Sequence, residues 1–284
     1  MDAKPAISDQ ATADALMEQA ADSARQGRFP DAAQLLRRAL ALSASLAGGR
    51  HANLLEPLQR GADLENVLRL APIRINALVT SGWLNSMFDG RPVDAGGRPI
   101  PWFTYPAIDF LEPRVQRNWT VLEWGCGNST LWWAARTKRV IGIEHDRAWH
   151  KIIASETPAN AAVLLAEDLD RYADLQDAPD AGPYDAIVID GERRNQCARR
   201  AARIAKLDGI IVFDNSDRQA YREGLAFLMD SGWKRLDFFG LLPSYLYRGC
   251  TSIFYRQEAF LDSRILPCDH QSCVGPTCAQ ALGE

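Results

Sequence analysis

The sequence predicts an α/β protein: a doubly wound, mostly parallel seven-stranded sheet with an antiparallel last strand, preceded by an α-helical extension. Three observations predict it. From Trp119 onward, short apolar runs alternate with helical patterns, as expected of parallel strands covered on both faces. Val121 and Leu122 run into Glu123-x-Gly125-x-Gly127 just where a helix begins. Toward the end, two strand-like runs are joined through Pro243 and Ser244, a hairpin-like connection that makes at least one strand antiparallel.

The strands are expected at Thr120–Glu123, Val140–Glu144, Ala162–Ala166, Ala186–Asp190, Ile210–Asp214, Gly232–Phe239 and Thr251–Arg256. The first five are short, largely apolar runs of the length of a strand. Helices are expected to start near Ser129, Arg147, Leu169, Asn195 and Gln219. In the first turn, glycines at alternate positions permit a sharp bend and a close ligand approach, and the following helix offers free N–H donors.

Ahead of the sheet, Ala11–Leu46 reads as two Ala- and Leu-rich helices separated by Gln26–Asp31. Their spacing resembles one tetratricopeptide-type hairpin without a second copy, and a lone repeat cannot bury its apolar face. It is therefore expected to pack on the rest of the protein or on a second copy, forming a homodimer. Gly48-Gly49 marks a break before further helical segments to about Thr80, and Gly82–Pro113 is an ordered loop rich in Pro, Gly and aromatics that could act as a lid. The expected domains are 1–48, a helical hairpin; 49–115, a helical and aromatic-rich connector or lid; 116–258, the sheet domain; and 259–284, a Cys-rich tail.

The 284 residues carry a formal net charge of −4, which supplies no general field for nucleic acid. Arg193, Arg194, Arg199, Arg200 and Arg203 sit at helical spacing and read as a solvated face. No apolar run approaches the ~20 residues needed to cross a bilayer, and no membrane association is expected. The N-terminus lacks a signal-like pattern, so the expected location is the cytoplasm.

Every parallel strand ends at or beside an acid: Glu123, Glu144, Glu167 with Asp168, Asp190 and Asp214. Ligands of doubly wound sheets bind at those carboxyl ends. Glu144, ending the strand after the glycine turn, suits the hydroxyls of a ribose. Glu123 would oppose a pyrophosphate but favour a ligand carrying an amino group and a sulfonium. No Gly follows three residues after Gly127, which weakens a dinucleotide reading.

Glu123-x-Gly125-x-Gly127-x-Ser129, Glu144, Asp168, Tyr184–Asp190, Leu207–Asn215 and the closing strand pair together resemble a class I S-adenosylmethionine-dependent methyltransferase of Rossmann-like fold. The resemblance covers about residues 100–257. It implies that Gly125, Cys126, Gly127, Asn128 and Ser129 hold the methionine part of the cofactor, with Glu123 near its amino group and Glu144 on its ribose. His145 and Leu169 would flank the adenine, and Asp168 would accept from its exocyclic amine, in competition with a helix-capping role. Asp190 would lie near the methyl donor, as a base or positioning group. Ser129 stands where the family usually has a third small residue, and Cys126 reads as a turn residue rather than a nucleophile.

Methyl transfer is an in-line displacement that mainly needs orientation and, for poor nucleophiles, proton removal. Asp190, Asp214 and Asn215 are spaced like the divalent-metal ligands of catechol-type O-methyltransferases, but the arginines around them are not expected beside such a cation, so metal assistance is the less favoured reading. Trp102 and Tyr105, with Asp214 and Asn215, are the candidate acceptor contacts. The expected acceptor is a small molecule methylated on oxygen or nitrogen. The alternatives are an RNA or protein acceptor and an inactive domain serving as a scaffold. Cys268, His270, Cys273 and Cys278 form either a loose tail with exposed thiols or, less favoured, a zinc site.

Overall fold

The computed structural model describes residues 7–25, 31, 34–35, 38–39, 42, 78–174, 182–263 and 265. They fall into two compact units, one drawn from residues 1–98 with 243–246 and the other from 99–242 with 247–265. The four residues of the Cys/His tail and residues 49–77 lie outside the described residues, as does much of the second arm of the N-terminal hairpin.

In the first unit, α1 (Ile7–Arg25) starts earlier than expected and buries Ala13, Leu16, Ala20 and Ser23 along one face. The stretch expected to be an ordered loop, Gly82–Pro113, carries two short helices, a difference from the sequence reading. The first, α2 (Trp83–Asp89), lies in this unit between the left-handed glycines Gly82 and Gly90. At Gly82 a Cβ would lie 2.2 Å from the Asp94 carbonyl carbon, so only glycine lets the helix begin there. Trp83 Nε1 donates to the Tyr245 carbonyl at 2.9 Å.

The second unit opens with α3 (Tyr105–Leu111), where Pro106 takes the first turn in which its missing N–H costs nothing. It continues through β1 (Thr120–Trp124), α4 (Asn128–Ala134), β2 (Arg139–Glu144), α5 (Arg147–Glu156), β3 (Ala161–Leu165), β4 (Tyr184–Ile189), α6 (Arg194–Ile204), β5 (Ala205–Asp214), α7 (Arg222–Asp230), β6 (Lys234–Leu241) and β7 (Arg248–Tyr255). The sheet order is β3-β2-β1-β4-β5-β7-β6. β1 to β5 are mutually parallel, and β7 runs antiparallel between β5 and β6. Only residues 242–247 join β6 to β7, far short of the dozen or so residues a parallel crossover requires.

Alternation along the strands divides the core. Leu122, Trp124, Ile141, Ile143, Ile187, Ile189, Ile211 and Phe213 share one buried cluster with Cys197, Ala198 and Ala201 of α6 and Leu225 and Leu228 of α7. Glu123 points to the opposite face, where it meets Thr130 of α4. The fully buried central strands explain their near-continuous apolar runs.

Among the described residues, 169–174 form turns rather than the helix expected near Leu169. Asp168 Oδ1 accepts from the Asp170 N–H at 3.0 Å, an Asx-type turn that competes with helix initiation. It lets Tyr172 enter the core, where the ring is 1% exposed. The helix expected near Gln219 begins as a 3₁₀ turn, Gln219–Tyr221, before α7.

Candidate active site

The strand order reverses between β1 and β4, the place where a doubly wound sheet opens a crevice at its carboxyl ends. The Gly125 N–H bonds to the Ile143 carbonyl and the Asp190 N–H to the Trp124 carbonyl, both at 2.9 Å. These bonds draw the ends of β2, β1 and β4 together. Gly125 sits at φ +86°, and a Cβ there would lie 2.6 Å from Gly191 Cα. The left-handed backbone and the contact with Gly191 both demand glycine. Gly127 is different: its φ is 178°, and a Cβ would meet only the Trp149 ring at 3.9 Å.

Glu123 is fully buried at the base of this turn. Its Oε2 accepts from the Thr130 hydroxyl, whose oxygen in turn accepts from the Gly127 N–H at 3.1 Å. The Ser129 side chain also opposes the effect of burial on the carboxyl. Glu123 Oε1 has no hydrogen-bond partner among the described residues. Burial pushes the carboxyl up to about 8, the Ser129 and Thr130 bonds opposing and the Asp190 and Glu144 charges adding to it. A buried acceptor without a donor is costly.

Glu144 is buried at the end of β2 and is largely engaged by the backbone. Oε1 accepts from the His145 and Asp146 N–H groups, both at 2.8 Å, and Oε2 from the Cys126 N–H at 3.1 Å. A carboxylate offers roughly four lone-pair sites, so room remains for a hydroxyl donor. Trp149 Nε1 bonds to the Cys126 carbonyl at 2.7 Å and completes the turn's support. Cys126 itself is buried, and its thiol is pushed well up by burial. Asn128 and Ser129 occupy the first turn of α4 and are buried.

His145 stands edge-on to Tyr172, ring centres 6.1 Å apart. Leu169 packs on the core cluster that contains Tyr172, whereas Asp168 is exposed and accepts from the turn's own backbone. Tyr172 bonds through its hydroxyl to the Ile143 carbonyl at 3.2 Å, and its own carbonyl accepts from Trp124 Nε1 at 3.2 Å.

At the ends of β4 and β5 the carboxyls of Asp190 and Asp214 flank Arg194, which is 8% exposed. Asp190 Oδ1 pairs with this guanidinium at 3.0 Å. Asp214 accepts from the Thr251 hydroxyl at 2.5 Å and from Asn215 Nδ2 at 2.6 Å. Burial raises both carboxyls above the ordinary range, with Arg194 opposing. Thr251 also accepts from the Thr104 N–H at 3.0 Å, and the Thr104 hydroxyl donates to the Phe238 carbonyl at 2.9 Å. The Trp102–Tyr105 segment is thereby tied to the carboxyl end of β5, Trp102 half-buried and Tyr105 buried. Among the described residues no group of three His, Cys, Asp or Glu side chains forms a metal centre.

The sequence reading missed Thr130, Trp149, Tyr172, Gly191 and the inward Arg194. Thr130, three residues after Gly127, stood at a capping-box position, and Arg194 four residues after Asp190. Nothing in the local sequence marks Tyr172.

No protein-family model matches the chain, and no curated protein matches its sequence. Solved structures resemble the chain at low identity. The O-methyltransferase TomG from Streptomyces achromogenes, solved with SAM, is 16% identical at a TM-score of 0.47, over 70% of this chain and 98% of that one. A precorrin-6y C5,15-methyltransferase from Geobacter metallireducens is 16% identical at 0.43, over 54% and 87%. A spermidine synthase from Thermotoga maritima is 13% identical at 0.45, over 62% and 65%. The strand order and its switch point decide the architecture. The fold is Rossmann-like. Among the described residues, no helix is long and apolar enough to cross a membrane.

Proposed function

We propose that this chain binds S-adenosylmethionine at the carboxyl ends of β1 to β4 and transfers its methyl group to an oxygen or nitrogen of a small-molecule acceptor. The observation that carries the reading is Glu123, a buried carboxyl with Oε1 unpartnered at the foot of a turn where Gly125 leaves no room for a side chain. An ammonium beside Glu123 supplies the missing donor and ionises the carboxyl, an interaction that a pyrophosphate would forfeit.

When bound, the cofactor supplies a sulfonium methyl, an electrophile needing no further activation. The chain's own residues then bind and orient. Glu123, Thr130 and Ser129 hold the amino-acid end, and the remaining capacity of Glu144 takes a ribose hydroxyl. His145 and Leu169 form the apolar side on which an adenine rests, with Tyr172 buried beside His145 and Asp168 at the edge. Asp190, one-fifth exposed, stands at the mouth. Its Oδ2 accepts no hydrogen bond from the described residues, so it is available to an acceptor's proton. Trp102, Tyr105, Asp214 and Asn215 shape the acceptor end.

A small acceptor is favoured because three of the arginines in the row after Asp190 are engaged. Arg193 pairs with Asp170, Arg199 with Glu223, and Arg194 is buried. The test is titration calorimetry of the full chain with S-adenosylmethionine and S-adenosylhomocysteine, followed by mass spectrometry of lysate fractions incubated with methyl-labelled cofactor. We expect binding that Glu144→Ala weakens, and label in the small-molecule fraction. Absence of binding heat from either ligand sinks the reading, and label confined to RNA or protein reassigns the acceptor.

A further inference from the structure

The cation at the acceptor end of the site is part of the chain. Arg194 follows Arg193, which is held at φ +47°, a left-handed conformation costing on the order of 1 kcal/mol in a residue with a Cβ. That turn starts α6 and sends the next side chain inward. The Arg194 guanidinium meets five oxygens: Gly191 O at 2.8 Å from Nε, Asp214 O at 2.7 Å and Asn215 Oδ1 at 3.3 Å from one terminal nitrogen, and Asp190 O at 2.7 Å and Asp190 Oδ1 at 3.0 Å from the other. A guanidinium has five N–H donors in a rigid fork, so each donor has one acceptor. Tyr221 lies alongside, its ring centre 4.9 Å from the guanidinium carbon.

These oxygens are hard ligands of the kind that hold Mg²⁺, and they include the residues spaced like a divalent-metal site. One carboxylate oxygen and four carbonyl-type oxygens would suit the ion only with the arginine removed. Each Asp214 carboxylate oxygen is already engaged once, by Thr251 and by Asn215. The divalent ion therefore does not fit the residues present.

We propose that Arg194 is a resident cation, a positioning residue that fixes the ends of β4 and β5 where a divalent metal would otherwise bind. The inference deepens the methyltransferase reading but rests on contacts that stand without it. Through Gly191 the clamp also reaches the cofactor turn, because Gly191 is the residue against which Gly125 is packed. Arg194 thus acts on the ligand through Asp190 and Gly191 rather than by touching it.

The test uses the full chain as wild type, Arg194→Met and Arg194→Lys. It follows Mn²⁺ by electron paramagnetic resonance, S-adenosylhomocysteine by calorimetry with and without chelator, and unfolding by heat. The wild type is expected to leave the Mn²⁺ signal as it is in buffer and to bind S-adenosylhomocysteine identically with chelator. Arg194→Met is expected to unfold at a lower temperature and to bind the ligand at least ~10-fold more weakly, with methylguanidine restoring part of the loss. Arg194→Lys keeps the charge without the fork and should fall between the two. Stoichiometric Mn²⁺ uptake by the wild type that Asp190→Asn abolishes would overturn the proposal, as would parental ligand affinity and stability in Arg194→Met. Should Arg194→Met not fold, Arg194→Lys with parental stability and affinity is the overturning result. Should the wild type bind no S-adenosylhomocysteine, the function above fails, while the Mn²⁺ and unfolding measurements still decide the role of Arg194.

Discussion

Replacing Glu123 by glutamine keeps the shape of a fully buried side chain and removes its ability to ionise. The wild-type carboxyl, held at about 8 by burial, is about nine-tenths protonated at pH 7 in the ligand-free protein. Binding an ammonium requires the ionised form, so a proton leaves on association. Each unit of pH below about 8 then costs ~1.4 kcal/mol, and affinity for S-adenosylhomocysteine should rise roughly tenfold between pH 6 and pH 7. Calorimetry in two buffers of different ionisation enthalpy measures the released proton directly. Glu123→Gln should show no proton release, a flat affinity over that interval, and an affinity near the wild type's at pH 6 but about tenfold weaker or more at pH 8. Folding stability carries the same signature. The folded carboxyl is raised above its ordinary value near 4.5, so its contribution is complete below that pH and is lost as pH rises through about 8, with a slope of ~1.4 kcal/mol per unit that the variant lacks. A binding enthalpy independent of buffer, together with pH-independent affinity in the wild type, would refute the reasoning.

Gly125→Ala forces a Cβ to 2.6 Å from Gly191 at φ +86°. We expect a loss of ~2 kcal/mol or more in denaturant unfolding and loss of ligand heat. A parental unfolding midpoint would contradict the steric account. Glu144→Ala leaves the Cys126, His145 and Asp146 N–H groups without their acceptor. It should cost about 2 kcal/mol or more of stability as well as ligand affinity, because orphaned buried donors carry a desolvation penalty; a variant that lost affinity alone would show that water replaces the carboxylate. Tyr172→Phe removes one bond to the Ile143 carbonyl and should cost about 1 kcal/mol, with the ring contact to His145 and ligand binding retained. Loss of binding in that variant would assign the hydroxyl a role beyond packing.

The architecture was legible because its signals are local and repeated. Apolar runs at Val140–Glu144 and Ile210–Asp214 need only a period and a length to be read as buried strands, and Gly125 and Glu144 announce themselves at a strand end. The expected helix at Leu169 failed for an equally local reason: the Asp168 side chain satisfies the backbone of the turn, and propensity does not foresee that competition. The aromatic segment before the sheet read as an ordered loop, yet two helices form in it, since Gly82, Gly90 and Pro106 start or stop a turn of helix as readily as they punctuate a loop.

By itself the sequence determined an α/β sheet with acids at its strand ends and one turn that must be glycine, properties set by neighbours along the chain. Tertiary structure decided what those acids do. It buried Glu123 with one oxygen unpartnered, spent most of Glu144 on backbone N–H groups, and chose Arg194 out of a row of arginines to sit between Asp190 and Asp214. The physical reason is that burial and pairing depend on groups distant in sequence: which arginine loses its water is settled only when the ends of β4 and β5 meet.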